Sequence, residues 1–146
     1  YPVGNAEAQE TLVRRLVDKI RLNVDEIVRI EERDMEDADV AVISYGITSR
    51  VTERAVQLAG AEGIKVGTLR LVTLWPFPDR HIRELAGRVG GLVVAELNYG
   101  QIYYEVERCA AGRSSVLLAG HGGGTVHEPE QILAQIREAN TCRQTS

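Results

Sequence analysis

Apolar residues first recur at helical spacing. Leu12, Leu16 and Ile20 stand four apart, Val13 and Val17 join the same stripe, and Arg14, Arg15, Asp18 and Lys19 fill the positions between, so residues 5–22 are expected to form an amphipathic helix. Asp25 to Glu32 alternates weakly and reads as an edge strand or as more helix. The acidic stretch from Glu31 to Asp39 reads as a connection. The texture changes at Val40-Ala41-Val42-Ile43, a continuous apolar run of the kind a parallel strand buried on both faces requires, ending at Ser44-Tyr45-Gly46. Thr48 or Ser49 is placed to cap a following helix. Val51, Ala55 and Leu58 mark its buried stripe, and Gly60 and Gly63 its end.

The strand-then-helix unit then recurs. Ile64 to Leu71 reads as a strand. Trp75-Pro76-Phe77-Pro78 is a rigid turn with Pro78 at the first helical position, and Ile82, Leu85, Ala86 and Val89 give the next helix its apolar face. After Gly90-Gly91, Leu92 to Ala95 is a strand, and Ile102, Val106, Cys109 and Ala110 form the following stripe. Val116 to Leu118 is another strand, Gly120 to Gly124 a loop, and Pro129 opens a last helix with Ile132, Leu133 and Ile136 facing inward. Strands alternating with helices predict an α/β fold with right-handed crossovers. The expectation is an open, doubly wound, mostly parallel sheet of four or five strands with helices on both faces. Residues 1–36 would be a linker helix and connection, 37–140 the α/β domain, and 141–146 a frayed tail.

Composition narrows the function classes. The net charge of −4 argues against nucleic acid as a main partner. No apolar run approaches the roughly 20 residues of a membrane span, and no signal peptide is visible, so a cytoplasmic protein is expected. The first residue is Tyr1 and the one methionine is Met35, so the chain is expected to be a piece of something longer. Cys109 and Cys142 form no C-x-x-C pair, neither a four-cysteine cluster site nor a disulfide framework, and read as reduced thiols.

Chemistry in such a fold gathers at the carboxy ends of the strands. Gly46, Thr48 and Ser49 stand where amides and a helix dipole can hold an anion, or where hydroxyls simply cap a helix. Gly122, Gly123 and Gly124 belong to a glycine-rich loop that is either an anion-binding nest or a flexible cover; it matches neither a dinucleotide fingerprint nor a phosphate-binding loop. His121 and His127 flank that loop and either contact a ligand there or are solvated side chains. Glu96, Asn98 and Gln101 follow the strand at 92–95 and either bind a ligand or pin a neighbouring domain. Tyr99, Tyr103 and Tyr104 are packing or interface aromatics. No catalytic motif is present: there is no G-x-S-x-G, no H-E-x-x-H and no thiamine pyrophosphate signature.

Four segments together resemble one family. Asp37-Ala38-Asp39-Val40 through Tyr45-Gly46, Gly63-Ile64-Lys65-Val66-Gly67 through Trp75-Pro76-Phe77-Pro78, Glu96-Leu97-Asn98-Tyr99-Gly100-Gln101, and Pro129-Glu130-Gln131-Ile132-Leu133 are similar to blocks of the transketolase-C-like domain in alpha subunits of 2-oxoacid:ferredoxin oxidoreductases, most like the 2-oxoglutarate type. The resemblance covers about residues 5–138. It implies a domain without catalysis of its own, packing against the rest of the alpha subunit and against a beta subunit. Thiamine pyrophosphate, magnesium and an iron–sulfur cluster would be held elsewhere in a complex that uses CoA and ferredoxin. It makes Tyr99, Gln101, Tyr103 and Tyr104 interface residues and leaves the 46–49 and 122–124 loops as contacts for substrate or CoA phosphate. Two other readings stay open: the equivalent domain of transketolase or of a dehydrogenase beta chain, and a stand-alone flavodoxin-like module for a nucleotide or anion.

Overall fold

The structure, a computed structural model, describes residues 4–143. Helix α1 (Ala6–Arg21) opens at Asn5, whose side chain accepts the Glu7 N–H at 3.0 Å. None of its residues is buried. The ambiguous stretch after it is both things in turn: a helical turn, α2 (Val24–Ile27), then an edge strand, β1 (Ile30–Arg33). The acidic connection therefore begins inside a strand. β1 runs antiparallel at the sheet margin with Glu31 to Arg33 exposed, so no apolar pattern marks it.

The remaining strands are β2 (Val40–Tyr45), β3 (Val66–Leu71), β4 (Gly91–Glu96) and β5 (Ser115–Gly120), in the order β1-β3-β2-β4-β5 with all but β1 parallel. Each strand's side chains divide between two cores. Ala41, Ile43, Leu69, Leu71, Leu92 and Val94 meet α4 (Asp79–Ala86) and α5 (Ile102–Ala110) on one face. Val40, Val42, Val66, Val93 and Ala95 meet α3 (Thr48–Ala61) and α6 (Pro129–Arg143) on the other. The sheet is thus five-stranded and doubly wound, with helices on both faces. No helix among the described residues is long and apolar enough to cross a membrane.

Several boundaries differ from expectation. Neither Thr48 nor Ser49 caps α3: Ile47 holds the cap position without a side-chain bond, and Thr48 is already helical and buried. Thr48, Thr52 and Ala59 join Ala55 as the buried stripe, while Val51 and Leu58 are half-buried. The third strand starts at Val66, two residues late, because Ile64 closes the turn by donating its N–H to Ala59 O at 3.1 Å. Pro78 sits at the cap of α4, one position early. Helix α6 runs to Arg143, so Thr141 to Arg143 are not tail; the rest of the expected tail, and Tyr1, lie outside the described residues. Gly91 sets the approach of α6 to the sheet, since a Cβ there would stand 2.9 Å from Ala139 Cβ and 3.1 Å from Ala139 O.

Candidate functional site

The strand order defines where a ligand would sit. After β2 the chain turns to the α3 face and after β4 to the α5 face, so a crevice is expected between these neighbouring strands at their carboxy ends. This chain fills it with its own side chains. Glu96, the last residue of β4, is fully buried. Its carboxylate accepts the N–H groups of Gln101 at 3.1 Å, Ile102 at 2.8 Å and Tyr103 at 2.8 Å, the orphan donors of the α5 start. Tyr45, at the end of β2, donates its hydroxyl to Glu96 Oε1 at 3.1 Å, and Asn98 Nδ2 donates to that hydroxyl at 3.1 Å. Burial and the neighbouring carboxylate push the Tyr45 hydroxyl above its ordinary pKa, so it stays a donor. A burial-compatible carboxylate is needed because three amides and a phenol aim at one point.

The Asn98 carbonyl accepts from Gly100 N at 2.8 Å and folds the turn that carries the aromatics outward. Tyr99 and Tyr104 are 77% and 59% exposed. Tyr103 and Tyr104 meet edge to face at 5.2 Å, and Tyr103 donates to Glu107 at 3.1 Å. The Tyr99 ring lies against Gly122, where a Cβ would come within 2.8 Å of it. The structure therefore joins the 99–104 aromatics and the glycine loop into one surface. Gln101 is exposed on it, with its backbone tied to Glu96.

The glycine loop is anchored beneath. His121 N donates to Glu96 O at 3.0 Å, and the His121 ring bonds Thr125 at 2.7 Å. His127 departs from its expected solvated state: it is 2% exposed and donates Nε2–H to Ala119 O at 2.7 Å, leaving Nδ1 without a partner among the described residues. Burial holds the imidazole below the usual histidine range. Gly123 and Gly124 are exposed at positive φ. After β2, Gly46 in the turn and Ser49 in the first turn of α3 remain accessible, Thr48 is withdrawn into the core, and Ser44 Oγ bonds Ser49 Oγ at 3.1 Å.

A groove that the sequence did not announce lies on the α4 side. It encloses about 820 Å³ between α2 and the Trp75-Pro76-Phe77-Pro78 turn, with Val24, Val28 and Ile30 opposite Trp75. Phe77 is buried, whereas Trp75 is 77% exposed. The signal available was the tryptophan itself, read only as part of a turn.

No group of three or more His, Cys, Asp or Glu side chains among the described residues is placed to hold a metal. Cys109 is buried under α5, and burial, then the Asp79 charge, push its thiol up to about 11. Cys142 lies on α6 at the other face. The two do not fit a shared cluster.

A family model described as "Pyruvate:ferredoxin oxidoreductase core domain II" matches residues 38–132. The 2-oxoglutarate synthase subunit KorA of Methanothermobacter thermautotrophicus is 45% identical over 141 residues, covering 96% of this chain and 38% of that protein. The ketoisovalerate oxidoreductase subunit VorB of Methanothermobacter marburgensis is 44% identical over 111 residues, 76% of this chain and 31% of that protein. A solved structure of 2-oxoglutarate:ferredoxin oxidoreductase from Magnetococcus marinus, with 2-oxoglutarate, coenzyme A and succinyl-CoA bound, superposes with a TM-score of 0.76 at 25% identity, over 95% of this chain and 24% of that one. The chain spans about a third of the length of the curated relatives it matches.

Proposed function

The chain belongs to the pyruvate:ferredoxin oxidoreductase core domain II family, and from that premise we propose that it serves as a docking domain of an alpha-type subunit in a 2-oxoacid:ferredoxin oxidoreductase. The complex would oxidatively decarboxylate a 2-oxoacid to an acyl-CoA and reduce ferredoxin, with 2-oxoglutarate the first substrate to try. The observation that carries this reading is a closed ligand crevice beside an open apolar surface. Tyr45, Glu96 and Asn98 occupy the position where a flavodoxin-like module would hold its ligand. Meanwhile Tyr99, Tyr104, Trp75 and the α1 stripe face outward, as partner-seeking residues do.

In the assembly, residues 4–36 link to the rest of the alpha subunit, residues 37–140 form the packed body, and Tyr99, Gln101, Tyr103 and Tyr104 meet the beta subunit. Gly46 in the turn before α3 and Ser49 in its first turn, and separately Gly122, Gly123 and Gly124 in their loop, are free to meet the CoA phosphates; Thr48, being buried, supports the start of α3 from beneath. Thiamine pyrophosphate supplies the carbanion chemistry and, with magnesium and the iron–sulfur cluster, belongs to other parts of the complex. This chain's own residues give a rigid wall that excludes water from the cleft they border. The two free cysteines suit the cytoplasm.

The test is reconstitution. The assembled subunits should reduce ferredoxin when given CoA and 2-oxoglutarate, with pyruvate and 2-oxoisovalerate as comparison substrates, and this chain alone should not. Changing Tyr103 and Tyr104 together to alanine should weaken subunit association about tenfold in sedimentation velocity. Unchanged association would count against the docking role.

A further inference from the structure

On the face away from Glu96, a second cleft lies between the first turns of α3 and the β1–β3 margin of the sheet. Its volume is about 270 Å³, and arginines reach it from three elements: Arg33 of β1, Arg70 of β3 and Arg50 of α3. Strand register puts them there, because Glu31 pairs with Arg70 and Arg33 with Thr68 on the face that α3 covers. Two carboxylates also line the cleft, and each is engaged: Arg33 bonds Glu53 at 3.0 Å and Arg70 bonds Glu31 at 3.1 Å. Arg50 makes no salt bridge among the described residues. Three guanidinium groups against two carboxylates leave the lining net positive.

The helix start adds to that charge. α3 has no acidic residue in its first turn and no side-chain cap, so no side-chain charge offsets the positive end of its dipole beside the cleft, although Arg50 N–H is already bonded to Ile47 O at 3.1 Å. Gly46, at φ +57°, has open space where a Cβ would stand, and a ligand can approach its backbone. Independently of the helix end, Thr52 is 1% exposed and lines the cleft, and its Oγ1 has no hydrogen-bond partner among the described residues. A buried hydroxyl left unpaired is costly. Here it is a donor awaiting an acceptor at the floor of a basic pocket.

We propose that this cleft binds the phosphate group of a small phosphorylated molecule. A phosphate offers several strong acceptor oxygens at once, matching what lines the cleft: the positive start of α3, the Ser49 and Thr52 hydroxyls, and the Arg50 fork. A carboxylate has fewer acceptor oxygens to share among so many donors. The site deepens the proposed reading, which leaves Gly46 and Ser49 free to meet a phosphate, and rests on it; because α3 covers the sheet face opposite α5, occupancy and assembly through the aromatic surface are separable.

The experiment is an amide NMR titration of this chain with inorganic phosphate, at constant ionic strength against a chloride control. Saturable shifts are expected at Gly46, Ser49, Arg50 and Thr52. Arg50→Gln should weaken binding roughly tenfold, and Thr52→Val, which keeps the shape, should weaken it several-fold without lowering the melting temperature. Arg54→Gln, outside the cleft, should change nothing. Shifts that chloride reproduces, or equal affinity in Arg50→Gln, would overturn the proposal. So would phosphate binding that disappears in the assembled complex, because the cleft would then be filled by an acidic segment of a neighbour. Failure of any of these leaves the docking role untouched, since that is read by subunit association.

Discussion

Glu96 shows how one side chain decides what a whole rim can do. It gives α5 the negative charge that a bound anion would otherwise supply, so the helix end is satisfied from within. Glu96→Gln keeps the shape but replaces one acceptor oxygen by a donor pointed at donors, and should cost about 1–3 kcal/mol. Glu96→Ala strands the amides and the Tyr45 hydroxyl and should cost about 3–5 kcal/mol; urea unfolding reads both. His127 gives a pH signature of its own. Its pKa is lowered in the fold by burial, so the unfolded chain binds the proton more readily. The stability it protects is fully present above the unfolded value of about 6.5 and is lost as pH falls through the lower folded value. Wild-type urea midpoints should therefore drop between pH 7.5 and 5, and His127→Asn should flatten that slope.

At the scale of elements, the legible parts were those whose environment is uniform. β2 and β4 are buried on both faces and announce themselves as unbroken apolar runs, and the α4 and α5 stripes fall where period 3.6 puts them. β1 was illegible because an antiparallel margin needs no apolar side chain to hold its ladder. The α3 stripe was misread in part because two of its buried positions are threonines. The candidate site was half legible. The aromatics and the polar turn could be found from residue type, but their union with the glycine loop depends on β4 and β5 lying side by side. The arginine cleft had no signal, since Arg33, Arg50 and Arg70 are scattered until register aligns them. Close approach is the one packing feature a glycine betrays only in three dimensions. Gly91→Ala would drive a methyl into backbone and side chain of Ala139, pushing α6 off β4. A loss of about 1–3 kcal/mol is expected, with the melting temperature as readout.

At the scale of the molecule, the core and the exposed apolar surface are separate systems. Leu12, Val13, Leu16 and Val17 are 38–57% exposed on a helix that buries none of its residues, and Leu22 is 80% exposed at its end. An apolar stripe standing off the body contributes little to the body's own stability. It costs solubility until something covers it, and the cover proposed is the rest of an alpha-type subunit, since nearly two thirds of the relative's length lies outside the match. Leu16→Lys should therefore leave the unfolding free energy of this chain within about 0.5 kcal/mol, and should reduce any concentration-dependent self-association seen by sedimentation. In the assembled oxidoreductase the same change should lower the yield of intact complex and, in proportion, its ferredoxin-reducing activity, while the complexes that do form keep their turnover per site. A large loss of stability in the chain alone would mean that α1 packs on the body after all. An unaffected yield of complex would mean that the stripe is not where the domain docks.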